Sequence, residues 1–194
     1  NIFSYKTLMP LRPHQIDALD AMVKHSKGQV IVPTGGGKTM CMIEDAKKIF
    51  NSSRIFCGGL IDGATIVVVA PRILLAEQLS SEFLEQIDNV SVMHVHSGET
   101  SHYSSTKIED IYFWHKGTQG NKIIFTTYHS LDRVKESTID VDTIYFDEAH
   151  NSVQRNFIGA VEHYSMYSER SYFFTATPKH SLTPFKAGMN DSDI

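Results

Sequence analysis

Lys38 and Thr39 close the run Pro33-Thr34-Gly35-Gly36-Gly37-Lys38-Thr39, in which three glycines separate a β-branched stretch, Val30-Ile31-Val32, from a basic and a hydroxyl side chain. Glycine tolerates the curled backbone of a tight loop, whose successive N–H groups then point into one concavity. A helix beginning near Lys38 aims its positive end at the same place. Such a concavity suits a polyphosphate: Lys38 supplies a mobile charge for the β- and γ-phosphates, and the Thr39 hydroxyl one ligand for a Mg²⁺ that bridges them. The usual loop of this kind opens with glycine six residues before the lysine, and Val32 stands there instead. A second cluster, Asp147-Glu148-Ala149-His150, follows the apolar run Ile144-Tyr145-Phe146. Asp147 can hold the Mg²⁺ opposite Thr39, and Glu148 can orient or deprotonate a water aimed at the γ-phosphate. The same residues also suit the solvated first turn of a helix.

The elements that must position these side chains alternate along the chain. A helix with Pro13 in its first turn carries Ile16, Leu19, Met22 and Val23 at helical spacing and ends near Lys27-Gly28. A second runs from the loop through Met40, Ile43, Ala46 and Phe50 to Asn51-Ser52-Ser53. Residues Arg54 to Ala64 read as a surface loop or short hairpin, and Thr65 to Ala70, apolar on both faces, as a central parallel strand. Then come a helix from Ile73 to Ile87, a strand from Val90 to Val95, a helix around Ile108 to Trp114 and a strand from Lys122 to Thr126. A short helix from Tyr128 to Val134, a strand within Ile139 to Phe146, a helix from Val153 to His163 and a strand Tyr172 to Thr175 complete the series. This order predicts an α/β domain, a mostly parallel sheet with helices on both faces, whose ligands collect at the carboxyl ends of the strands.

Composition narrows the class. A chain of 194 residues has the length of one domain, and 41% hydrophobic with 21% charged residues is ordinary for a globular protein. No apolar run approaches the roughly 18 residues of a membrane span. Cys41 and Cys57 are too far apart for a zinc knuckle and read as free thiols of a reducing cytoplasm. A formal net charge of −4 and the lack of a basic tract mean that any nucleic-acid contact must be local. His94, His96 and His102 have no cysteine or carboxylate at ligand spacing in the sequence and read as non-ligands, and Trp114 reads as core.

Taken in order, these stretches resemble the first RecA-like motor domain of superfamily 2 helicases and translocases, with a DEAH box as second motif, across residues 1–177. The resemblance implies that Arg12 and Gln15, in Leu11-Arg12-Pro13-His14-Gln15, lie at the adenine of ATP, and that Pro33 to Thr39 is the phosphate loop. It implies catalytic roles for Lys38, Asp147, Glu148 and His150. Val69-Ala70-Pro71-Arg72, Ser97-Gly98 and Thr126-Thr127-Tyr128-His129-Ser130-Leu131 look like the strand-end motifs that contact a nucleic-acid backbone, which nominates Pro71, Arg72, Gly98, Thr127 and Tyr128. Thr175-Ala176-Thr177 resembles the motif that couples the γ-phosphate to nucleic-acid binding. ATP, Mg²⁺, DNA rather than RNA, and a second RecA-like domain reached through residues 178–194 are the implied cofactors and partners. A phosphotransferase acting on a metabolite, or a silent ATP-binding interaction module, would use the same loop.

Overall fold

The computed structural model describes residues 10–33, 37–52, 63–150 and 157–176. Thr34, Gly35, Gly36, Cys57, Val153, Thr177, most of the 54–64 loop and the 178–194 tail lie outside the described residues. Helix α1 (Pro13–Lys24) starts where Pro13 cannot donate to a preceding turn. The Gln15 side chain closes that end, its Oε1 accepting the Arg12 N–H at 2.7 Å. The helix stops earlier than its apolar spacing suggests, because Lys27 and Gly28 are already strand residues paired with Ser171 and Tyr172. Strand β1 (Lys27–Ile31) leads to α2 (Lys38–Ser52), β2 (Thr65–Ala70), α3 (Ile73–Gln86) and β3 (Ser91–Val95). Then come α4 (Ile108–Gly117), β4 (Lys122–Thr127), α5 (Leu131–Glu136), β5 (Thr143–Phe146), α6 (Ile158–Tyr167) and β6 (Arg170–Thr175).

The six strands form one sheet in the order β1-β6-β5-β2-β4-β3, and every pairing among them is parallel. All six carboxyl ends therefore share one edge. β2, in the middle, is buried along its whole length, as the Ile66-Val67-Val68-Val69 run requires of a strand covered on both faces. One face of the sheet packs on α1, α2 and α3 through Met22, Met42, Phe50 and Phe83. The other packs on α4, α5 and α6 through Ile111, Leu131, Val134 and Val161, with Trp114 against that layer. Each strand buries alternate side chains in opposite layers, so Val68 belongs to the first and Val67 and Val69 to the second. The open edge of β3 is covered by residues 103–105: the His94 N–H donates to the Tyr103 carbonyl at 2.9 Å, and the Ser105 N–H to the His94 carbonyl at 3.2 Å.

The helix expected from Tyr128 begins only at Leu131. The Tyr128 N–H donates to the Ala70 carbonyl at 3.2 Å and so prolongs the strand pairing, and Ser130 N–H closes a turn on the Thr127 carbonyl at 3.1 Å. Away from the strand tips, an Asp45–Arg170 pair ties α2 to β6. The guanidinium is bidentate, Nη2 to Oδ1 at 2.7 Å and Nη1 to Oδ2 at 2.9 Å, and the Tyr145 hydroxyl also donates to Asp45. Nη2 reaches the Met22 carbonyl at 3.3 Å and the Tyr172 hydroxyl reaches it at 2.7 Å, so four elements meet there.

Candidate functional site

Gly37 has φ +80°, in the left-handed region that glycine favours, and a Cβ there would stand 2.3 Å from Gln15 Nε2. That amide donates to the Gly37 carbonyl at 3.2 Å. The sequence-nominated Gln15 and the end of the glycine run are therefore in direct contact, with Arg12 exposed just before α1 and Pro33 exposed at the end of β1. Lys38 is the first residue of α2. Its Nζ lies 2.9 Å from Asp147 Oδ1 and also pairs with Glu148 Oε1. The parallel register brings these residues together, since β5 ends at Phe146 two strands from β1.

The electrostatics of this cluster are unbalanced. Burial pushes the Lys38 pKa down, but the Asp147 and Glu148 carboxylates outweigh it and the net shift is upward. Asp147 is only 4% exposed, and burial raises its pKa more than Lys38 lowers it. Its Oδ1 is buried and accepts no hydrogen bond of good geometry despite the ammonium beside it. A buried carboxylate oxygen left in that condition suits a cation. Glu148 sits at φ +50°, uncommon for a side-chain-bearing residue and a feature of functional sites. His150 is exposed, its Nδ1 3.7 Å from Glu148 Oε2. The Thr39 hydroxyl bonds to Glu82 of α3, a carboxylate that no sequence pattern pointed to.

At the other half of the same edge, the ends of β2, β4 and β3 frame a cleft of about 420 Å³. Pro71, Arg72 and Thr127 line it, as their positions after β2 and in β4 imply, with His129 from the same stretch as Thr127, and with His96 and Phe157, which no sequence motif included. Gly98 borders it through His96, donating its N–H to His96 Nδ1 at 3.1 Å. Tyr128 is a correction. It is 2% exposed, stacked between Phe146 and Phe157, and its hydroxyl donates to the Asp147 carbonyl at 2.8 Å. Its side chain offers nothing to a surface ligand and instead joins the cleft to the acidic stretch. Thr175 is buried at the end of β6, its carbonyl accepting the Val32 N–H at 3.0 Å, and Ala176 follows it. Since Phe146 pairs with Phe173, Thr175 ends its strand beside the Asp147-Glu148 turn.

A model of the family described as Type III restriction enzyme, res subunit, matches residues 8–180. The chain belongs to this family. Its fold is that of a superfamily 2 helicase RecA-like domain, as comparison with solved structures bears out. A nuclease-deletion mutant of the Type ISP restriction-modification enzyme LlaGI, in complex with a DNA substrate mimic, superposes with TM-score 0.76 at 21% identity, covering 96% of this chain and 20% of that one. The helicase domain of Pyrococcus furiosus Hef gives 0.62 at 21% identity, covering 91% and 34%. The UvsW helicase of bacteriophage T4 gives 0.67 at 12% identity, covering 94% and 59%. The family domain thus spans a fifth of the LlaGI chain and about three fifths of UvsW. No curated protein sequence matches the chain. Among the described residues no helix is long and apolar enough to cross a membrane.

Proposed function

We propose that this family domain is the ATP-binding half of an intracellular, DNA-directed motor, a helicase or translocase, completed by a second RecA-like domain. The observation that carries the reading is the convergence of Lys38, Asp147 and Glu148 on the sheet edge that also forms the Arg72–Thr127 cleft. Gln15, held against Gly37, takes the adenine edge. Lys38 exchanges its carboxylate partners for the β- and γ-phosphates, which frees Glu148 to orient the attacking water. Thr39 and Asp147 would hold a Mg²⁺, and the buried Asp147 Oδ1, which already faces the positive charge of Lys38, fits that role. When bound, the ion supplies positive charge against the phosphate oxygens. Arg72, the Gly98 backbone and Thr127 contact DNA phosphate and sugar without reading base edges, so binding is independent of sequence. Thr175 to Thr177 and the Tyr128–Asp147 bond carry the state of one site to the other.

The test is ATP turnover by a chain that includes the partner domain, with and without DNA. DNA-stimulated turnover is expected, together with loss of nucleotide affinity in Lys38→Ala and retained binding without hydrolysis in Glu148→Gln. Turnover that depends on a metabolite would instead mark a phosphotransferase, and no turnover a silent binding module. Equal rates for wild type and Glu148→Gln would remove the assigned base.

A further inference from the structure

His94 and His96 stand two residues apart on one face of β3 and its end, and the fold brings Glu77 of α3 between them. Glu77 Oε1 lies 3.0 Å from His94 Nδ1 and 3.1 Å from His96 Nε2, and the two nitrogens are 3.2 Å apart. The carboxylate missing from the neighbouring sequence thus comes from a helix packed on the strand. Three ligand atoms of a tetrahedral zinc centre, with bonds of about 2.0–2.1 Å, stand about 3.3 Å from one another. The observed triangle is within a few tenths of an ångström of that.

With both rings neutral and Glu77 ionised, hydrogen bonding alone does not serve all three contacts. Gly98 N–H donates to His96 Nδ1, which places the proton of a neutral His96 on Nε2, directed at Glu77. If His94 also carries its proton on Nδ1, two N–H groups face each other at 3.2 Å. If it carries it on Nε2, toward Ser80 Oγ at 2.9 Å, a bare lone pair faces the carboxylate at 3.0 Å. A cation at the centre of the triangle attracts all three atoms at once. Ser80, one turn along α3 from Glu77, then accepts a hydrogen bond from the His94 Nε2–H and orients the ring.

We propose that Glu77, His94 and His96 form a three-ligand site for Zn²⁺ or a divalent cation of similar donor preference, clamping α3 to β3. Two buried imidazoles and one half-buried carboxylate leave a fourth position for water, and Glu77 opens to solvent beside Gln78 and Ser81. Ligation through His96 Nε2 moves that ring's proton to Nδ1, so the Gly98 N–H must turn away from it. Loading the site therefore reshapes the Ser97–Gly98 turn at the border of the cleft. The proposal does not depend on what the cleft binds.

Zinc titration of the purified chain against a competing chelator tests it, with Co²⁺ as a spectroscopic substitute. One equivalent is expected to bind, Co²⁺ is expected to show the visible absorption of a four-coordinate N/O site, and the Gly98 amide resonance is expected to shift. Glu77→Gln, nearly isosteric and half-exposed, is expected to lose at least tenfold in affinity and the Gly98 response. His96→Gln provides a second ligand deletion should Glu77→Gln fold poorly. Absence of stoichiometric binding in the wild type, or equal affinity in wild type and both variants, would overturn the site and assign any zinc uptake to other histidines.

Discussion

Asp147 illustrates how a residue proposed for function can weaken the fold that carries it. Burial raises its pKa above the ordinary value of 3.8, so its ionised form costs the folded state stability. That cost is absent while the carboxyl is protonated in both states, grows as pH rises through 3.8, and levels off above the raised folded value. Asp147→Asn removes it, and the nucleotide-free variant is expected to melt at or above wild type at pH 7, by about 2–4 °C for about 1 kcal/mol. Scanning calorimetry at pH 7 and at pH 3.5 checks the sign, because the difference should shrink at the lower pH. A variant markedly less stable at pH 7 would show that the Lys38 pair outweighs burial. Gln15 makes a second prediction. It already holds Gly37, so Gln15→Ala is expected to weaken any nucleotide's hold, while the proposed adenine contact would be lost for ATP alone. ATP affinity should fall further than GTP affinity, by about 1–3 kcal/mol on the scale of a bidentate base contact. Calorimetric titration with both nucleotides decides it, and equal losses would leave Gln15 a purely structural brace.

At the scale of elements, the strands were the more legible part because their burial is nearly uniform. Thr65 to Ala70 reads as a covered parallel strand from its composition alone, and the sheet places it at the centre. Element ends were less legible. Lys27 and Gly28 follow a helical pattern but pair with β6, and Tyr128 looks like a helix start but prolongs β4, because hydrogen-bond partners distant in sequence win over local preference. The Asp45–Arg170 pair is of the same kind: 125 residues separate its members, and no local pattern announces it. Both side chains are largely buried, so removing one partner strands the other. Asp45→Ala is expected to cost about 3–5 kcal/mol and to lower the melting temperature by roughly 10 °C, with nucleotide affinity of the folded fraction unchanged. Chemical denaturation together with nucleotide titration checks both halves of that statement. A loss below about 1 kcal/mol would show that water replaces the pair without penalty.

For the whole molecule, the distribution of charge limits how the proposed DNA contact can work. The net charge is −4, and Arg72 is the lysine or arginine that lines the cleft. Few counterions are displaced, so log affinity against log salt should have a slope on the order of −1 to −2, and Arg72→Ala should flatten it by about one unit. Fluorescence titration of labelled single and double strands at several salt concentrations measures this. Tight, sequence-dependent binding, or an unchanged slope in the variant, would move the DNA track elsewhere on the surface.

The sequence by itself determined the class of fold, since alternating apolar runs and amphipathic stretches admit a covered parallel sheet and little else. It also determined the chemical content of the candidate nucleotide site, because the glycine run, Lys38-Thr39 and Asp147-Glu148 owe their chemistry to residue type and local order. Tertiary structure alone decided which of the remaining residues meet. Strand order set β4 and β3 beside β2 and so opened the cleft to His96 and His129. The stacking of Tyr128 between Phe146 and Phe157 took its hydroxyl from the surface to the Asp147 carbonyl. Packing of α3 on β3 carried Glu77 to His94 and His96, and α3 also brought Glu82 to Thr39. These contacts join elements far apart in the chain, and their geometry depends on register and helix rotation, which local spacing does not encode.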